Sequence, residues 1–451
     1  MSRPPGLGTR HCQALMTFSS IVLDFSIRSN LSIGIVAMTD NTRPNPSLPV
    51  LPWTSSQKGI ILGSLFWGYF LTTAPGGHLS RKWGPKYLMF AAMLVCAVIS
   101  ILCPFIALNY GWFAFSLSRV VLGLAQGFLL PSVHTHLAKW TPLQERNRTI
   151  AIVISGSTVG VVVTMPIAGY LAASSWGWPS IFYCTGLCGV LWSAVWLFVG
   201  ADSPESHPSI SDREREYIIT TRIGSSSHSQ TMKTPWWPIL TSKPVWALTI
   251  AHFSHNWGKW TLLTELSSYL RHVYGYNIKS NGLISALPHL CSLIMMVVFS
   301  WAADFINSRD LVSLTSSRKI SSTIAQWGGA IALCGLPFIS SPTSAVTLLT
   351  VSIALGAASY TGSLPNPLDL SPNFTGLVLG ITFGLGSLSA ILGPSLTGFI
   401  VTDETNRDQW MNAFYVAAAV YFVGNAVFIW FGSAEVQWWN DAEKVEDETE
   451  Q

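Results

Sequence analysis

Apolar runs of about twenty residues, separated by short polar ones, recur from residue 16 to residue 433 at roughly 16–39, 59–80, 87–107, 112–138, 149–173, 179–200, 244–270, 283–305, 318–340, 344–368, 376–401 and 411–433. At 1.5 Å of rise per residue each can cross a hydrocarbon core of about 30 Å. The pattern therefore predicts an all-α membrane protein with twelve transmembrane helices. One long polar insertion, at about 201–243, parts the spans six and six. The expected organisation is an N-terminal six-helix bundle over 1–200, a cytosolic linker over 201–243, a C-terminal six-helix bundle over 244–435 and an acidic cytosolic tail over 436–451.

Composition agrees with a lipid setting. Of 451 residues, 49% are hydrophobic and 10% charged, against about 25% charged in an ordinary soluble protein. The net charge of +3 says little, but its placement says more, because Lys and Arg favour cytoplasmic loops. With both termini in the cytosol, 17 Lys and Arg fall on cytosolic segments, counting Arg318 and Lys319 at the mouth of span 9, and five fall outside. The reverse orientation would invert that ratio. The seven cysteines lie in or beside apolar spans at spacings that suggest neither a disulfide framework nor a metal site. Span 1 is too long, and too charged at Asp24 and Arg28, for a cleaved signal peptide. No HExxH or GxSxG motif is present, and the one polar segment is too short for a catalytic domain, so no enzyme is expected. Nothing in the charge pattern calls for nucleic acid.

Ionisable groups within spans carry the candidate chemistry, since each costs about 2.5–3.5 kcal/mol or more at the bilayer centre. Arg28 stands about 18 Å into span 1 by helical rise. Arg119 is in span 4, and His252, His255 and Lys259 are in span 7. If the helices are grouped in threes, spans 1, 4 and 7 each lead a group, the placement found where repeats enclose a midplane substrate. At 100° per residue, Gly123, Gln126 and His134 fall within about 60° of Arg119, whereas His136 points elsewhere. Gly123 and Gly127 read as helix-packing residues. Plainer readings stand beside these. Asp24 either neutralises Arg28 across one turn or offers a cation site, Arg119 can bridge helices, Lys259 can snorkel, and a lone histidine can be a packing group. Glu265, near the outer end of span 7, reads as an interface residue.

The segments GSLFWGYFLTTAPGGHLSRKWGPK (63–86), RVVLGLAQGFLLPSVHTHLAKWTPLQERNR (119–148), WGWPSIFY (176–183), NIKSNGLISALPHL (277–290) and LDLSPNFTG (368–376) together resemble solute carrier family 17. This is the anion:cation symporter branch of the major facilitator superfamily, and the likeness runs from span 1 to span 12, strongest to the sodium/phosphate cotransporter type 1 group. The resemblance implies the major facilitator fold of two six-helix halves. Arg28 matches the span 1 arginine associated with anion binding, Arg119 the arginine opening the span 4 motif, and His134 the histidine after its proline. Arg81, in the loop after span 2, and Asp304, after span 8, match gating loops, with Ser80 where many members carry Asp. Gln126 stands where sialin and the vesicular glutamate group have glutamate, Leu62 where the latter has histidine, and His255 where it has arginine. These departures argue against proton coupling at this position and against glutamate as substrate.

The expected function is secondary transport of phosphate or small organic anions by alternating access, coupled to sodium or driven by voltage; the alternative is a proton-coupled exporter of acidic sugars or amino acids, and more remote ones are an anion channel or a membrane enzyme. Arg28, Arg119, Gln126, His255 and Lys259 are the expected substrate-binding residues, and Asp24, His134, Arg81 and Asp304 the coupling and gating ones. No cofactor is expected beyond a cotransported Na+ or H+. The partners are small anionic solutes and membrane lipids, the chain is expected to be monomeric, and the membrane is either the plasma membrane or an endolysosomal or vesicular one.

Overall fold

The computed structural model describes residues 8–40, 48–142, 145–223 and 234–441. Among them the chain forms helices α1 (Thr9–Thr39), α2 (Ser55–Trp83), α3 (Pro85–Trp140), α4 (Arg146–Ala172), α5 (Pro179–Val199), α6 (Asp212–Ile223), α7 (Trp236–Thr241), α8 (Lys243–Tyr274), α9 (Ile278–Ser308), α10 (Leu314–Gly335), α11 (Pro342–Gly356), α12 (Asn366–Leu370), α13 (Thr375–Ile400) and α14 (Arg407–Phe431), with no β-strand. Eight of these are long and apolar enough to cross a membrane. The more polar long helices α2, α8 and α10 coincide with expected spans 2, 7 and 9.

Expected spans 3 and 4 both lie within α3, which breaks at Gly111 with φ 75° and ψ −171°. Glycine alone reaches that backbone region readily. Beyond it the chain doubles back: Cys96 Sγ meets the Leu122 carbonyl at 3.8 Å and Cys103 Sγ meets Ser118 Oγ at 3.9 Å, so α3 is a hairpin of two spans. Expected span 10 is not continuous. Helix α11 stops at Gly356, runs through a 3₁₀ turn over Ala357–Tyr360, and the chain becomes helical again only at Asn366, after Pro365. Hydropathy reads the whole stretch as one run because apolarity is indifferent to backbone breaks.

Helix ends follow local chemistry. The Asn277 side chain accepts from the Ser280 amide at 2.9 Å, Ser313 from the Ser316 amide at 3.2 Å, and Asn406 from the Asp408 amide at 2.9 Å. Gly275, at φ 68°, ends α8 in the left-handed region.

The residues divide into two compact units. One holds the chain up to Pro52 and from Ser64 into the linker; the other holds Trp53–Gly63 and the C-terminal half, so α2 begins with the second unit and continues with the first. In the first unit α1 is enclosed by protein, with Ile27, Ile33 and Ile35 fully buried, and Trp192 Nε1 of α5 donates to the Met16 carbonyl at 3.1 Å. That enclosure lets α1 carry Asp24, Ser26, Arg28, Ser29, Asn30 and Ser32 without presenting them to lipid. In the second unit the core gathers Tyr269, Trp410, Phe414 and Tyr421. Large apolar side chains such as Phe198, Trp301 and Phe399 are left exposed, as a lipid-facing surface requires.

Within the expected linker, α6 returns to the first unit. Glu214 accepts from the Thr9 and Arg10 amides at 3.0 and 3.1 Å, and Arg10 Nη1 donates to it at 2.9 Å while Nε reaches Glu145 at 3.2 Å. A carboxylate thus caps the positive end of α1. Linker residues 224–233 and the acidic tail from 442 onward lie outside the described residues.

Candidate functional site

In the first unit, α1 and the second limb of α3 bring four of the expected residues together. Arg28 Nη2 lies 3.1 Å from Asp24 Oδ2, the pairing of an acid with a base one turn later. Arg28 Nε donates to Gln126 Oε1 at 3.2 Å, and Gln126 Nε2 donates to the Asp24 backbone carbonyl at 3.1 Å. Arg119 Nη1 points to the Ile27 carbonyl at a long 3.4 Å. All four side chains are buried, Arg119 to 2% and Gln126 to 1% exposure. The Arg28 guanidinium is further surrounded by the rings of Phe25, Tyr69 and Phe66, at 4.7, 4.8 and 5.8 Å from their centroids.

Two cations with one carboxylate leave this buried cluster with an excess of one positive charge. Arg119 Nε and Asp24 Oδ1 have no hydrogen-bond partner among the described residues. An arrangement of this kind can hold an anion: the fork of Arg28 suits carboxylate or phosphate oxygens, and Asp24 occupies the position an incoming anion would contest.

Close helix contact sets this geometry. A Cβ on Gly123 would lie 1.8 Å from the Leu65 carbonyl oxygen, and one on Gly127 would lie 2.1 Å from Thr72 Oγ1. Only glycine lets α3 approach α2 so closely.

The other expected residues of this half stand apart. His134 is exposed on α3, whereas His136 is fully buried among Trp140 and Trp196 at 5.9 and 5.2 Å. Arg81 is exposed at the end of α2. Next to it Gly84, at φ 88°, turns the chain so that the Asp202 carboxylate accepts from the Lys86 amide at 2.8 Å.

In the second unit, His255 Nδ1 lies 3.0 Å from Ser359 Oγ and His252 Nε2 lies 3.0 Å from the Ser363 carbonyl, so the broken segment after α11 supplies partners for α8. Lys259 is half-buried, its Nζ 5.6 Å from the Trp260 ring. Asp304 is exposed near the end of α9.

A further cluster was not among the expected site residues. Lys58, at the start of α2 and 7% exposed, reaches the Glu404 carboxylate at 2.5 Å, and His272 Nε2 reaches the same carboxylate at 3.2 Å. Glu265, read from the sequence as an interface residue, is buried to 6% exposure, and the charges acting on it are those of Glu404 and Lys58. The sequence signal was Lys58 and Glu404 in polar segments that a twelve-helix topology places on one side.

Comparison with known proteins follows the same lines. The family model described as the Major Facilitator Superfamily matches residues 16–368. A "Putative inorganic phosphate cotransporter" of Drosophila melanogaster is 33% identical over 463 residues, covering 97% of this chain and 87% of the relative. Human sialin is 32% identical over 458 residues, with 97% and 92% coverage. Human vesicular glutamate transporter 2 is 33% identical over 454 residues, with 98% and 77% coverage. Among solved structures, a bacterial homologue of the human lysosomal transporter Spinster, inward-facing and occupied, superposes with a TM-score of 0.73 at 14% identity over 95% of this chain and 97% of its own. A D-xylose-proton symporter gives 0.66 at 14% identity, over 95% and 99%. At such identity these two speak for the fold alone.

Proposed function

Because the chain belongs to the Major Facilitator Superfamily, in its solute carrier family 17 branch, we propose that it carries phosphate or small organic anions across its membrane by alternating access. Membership makes it a multi-pass membrane transporter and not an enzyme. The observation supporting anion transport is the buried cluster of Arg28 and Arg119 with Asp24 as its one carboxylate. An anion entering there displaces Asp24 from part of the Arg28 fork, while Gln126 keeps the guanidinium aligned. Within the second unit, His255 and Lys259 are the donors and the positive charge of this reading, and Arg81 and Asp304 are its gating residues.

Moving one negative charge into a cell against 100 mV costs about 2.3 kcal/mol, so uptake needs a cotransported cation or a steep anion gradient. Sodium is our first choice, since Gln126 cannot take up a proton where sialin has a glutamate and Asp24 is engaged by Arg28. Voltage-driven export or vesicle loading is the second. The termini face the cytosol, and the relatives' names are compatible with a plasma or an endolysosomal membrane.

The test is uptake of labelled phosphate, urate and small carboxylates into proteoliposomes, with sodium, proton and voltage gradients imposed separately. Arg28→Ala is expected to abolish uptake with normal membrane insertion; unchanged uptake refutes the assignment. Uptake insensitive to replacing sodium with choline refutes sodium coupling.

A further inference from the structure

We propose that the Trp-rich surface formed by α7 and the segment after α14 is a membrane anchor of the second unit, seated in the phospholipid headgroup layer. The inference needs only that the chain spans a membrane, so it stands apart from the choice of substrate.

Two short stretches build this surface. TPWWPILTSK (234–243) forms α7 and leads into α8, and VQWWND (436–441) follows α14. Each turns one apolar side chain inward: Ile239 and Trp439, at 0% and 1% exposure, join Val245, Leu248 and Phe428 in one core cluster. Each leaves its other rings outside, with Trp236, Trp237 and Trp438 at 56%, 76% and 73% exposure and Leu240 at 43%. Backbone and side-chain bonds secure both stretches to the bundle. Trp246 Nε1 of α8 donates to the Leu240 carbonyl at 2.7 Å, and the Gln437 amide donates to the Leu370 carbonyl at 2.9 Å. The exposed rings are therefore held on a fixed frame.

What covers them follows from position and chemistry. Helix α8 starts at Lys243, directly after α7, and α14 ends at Phe431 with Trp430 75% exposed. The surface is thus continuous with the lipid-facing side of two spans, at the depth where hydrocarbon gives way to headgroups. Helix α7, with six residues, is about 9 Å long and cannot cross the core itself. Among the described residues the indole N–H groups of Trp236, Trp237 and Trp438 make no hydrogen bond within the protein. A ring with an apolar face and one free donor suits the interface, where acyl chains meet the face and ester or phosphate oxygens accept from the N–H. Lys243, exposed beside them, adds a cation for the phosphate.

The neighbouring stretches of the chain offer little apolar cover. GSSSHSQTMK (224–233) and AEKVEDETEQ (442–451) hold only Met232 and Val445 as larger apolar residues. Anchoring at this surface fixes the depth of α8, the helix that carries His252, His255 and Lys259.

A depth measurement on the full chain in phosphatidylcholine nanodiscs tests the anchor. A nitroxide is attached at Trp237→Cys or Trp438→Cys in a chain whose seven cysteines are replaced by serine or alanine. Its collisions with oxygen, which favours lipid, are compared with those with a water-soluble nickel chelate. Asp212→Cys, at a side chain 97% exposed on α6, is the aqueous reference, and Ile294→Cys, 57% exposed midway along α9, is the hydrocarbon one. Both anchor positions are expected to fall between the two references, at headgroup depth. A label at either position that matches 212 is in water, one that matches 294 is in the core, and one shielded from both reagents lies against protein; each result would overturn the proposal. A chain that keeps its cysteines gives a second reading: p-benzoylphenylalanine at position 237 should crosslink to phosphatidylcholine. Crosslinking instead to a second copy of the chain or to residues 224–233 or 442–451, or the lack of any lipid adduct, would equally overturn it.

Discussion

Gln126→Glu converts the question of coupling into a measurement. In the native chain Gln126 Oε1 accepts from Arg28 Nε at 3.2 Å, in a buried cluster whose formal charge is +1 from Arg28, Arg119 and Asp24. A carboxylate of the same length brings the cluster to zero. At an effective dielectric of about 20, unit charges about 4 Å apart interact by about 4 kcal/mol. Losing that attraction weakens anion binding by up to about a thousandfold, at about 1.4 kcal/mol per factor of ten. Half the energy would still cost well over tenfold. Protonating the new glutamate restores the charge, so the loss should be reversed by acid. The assay is initial uptake of labelled phosphate into proteoliposomes over a range of external pH, with the native chain measured alongside. Native uptake should vary far less through this site, whereas the variant should be nearly inactive at neutral pH and recover on acidification. Variant uptake that matches the native rate at every pH would refute both the placement of the anion beside Arg28 and the electrostatic argument.

Asp24→Asn removes the carboxylate an incoming anion must displace, so the KM for anion uptake should fall by about tenfold, the scale of a partly screened charge pair; a raised KM would make Asp24 a supporting residue instead of a competitor. Gly123→Ala places a methyl group against the Leu65 carbonyl and should destabilise by at least about 1–3 kcal/mol in thermal unfolding. Gly380→Ala, with open space around it, should be neutral, and equal melting of the two would contradict the packing. Arg10→Ala removes the guanidinium that pairs with the buried Glu214 carboxylate and the half-buried Glu145 carboxylate and should cost about 3–5 kcal/mol. Glu214→Gln should cost less, and the order of the two melting temperatures checks it.

The order of spans and the residues that carry unusual charge follow from the sequence because the bilayer is a one-dimensional filter. Any apolar run of the right length is marked, and any buried charge stands out against it. Arg28, Arg119 and Gln126 were legible on those terms, and so was the pairing of Asp24 with Arg28, since one helical turn fixes both residues whatever surrounds them. Helical angle alone went less far on α3. It grouped His134 with Arg119, yet His134 is exposed, because what faces protein and what does not is decided by the neighbouring helices. The break between Gly356 and Asn366 escaped for a related reason: hydropathy measures transfer from water and carries no information on backbone direction. Contacts distant along the chain were the least visible. Glu214 meets Arg10 across 204 residues and Lys58 meets Glu404 across 346. Each of these residues alone reads as an ordinary surface charge. Only the packing of the helices removes them from water together, and that shared desolvation turns them into a cap for α1 in one place and a buried ion pair in the other.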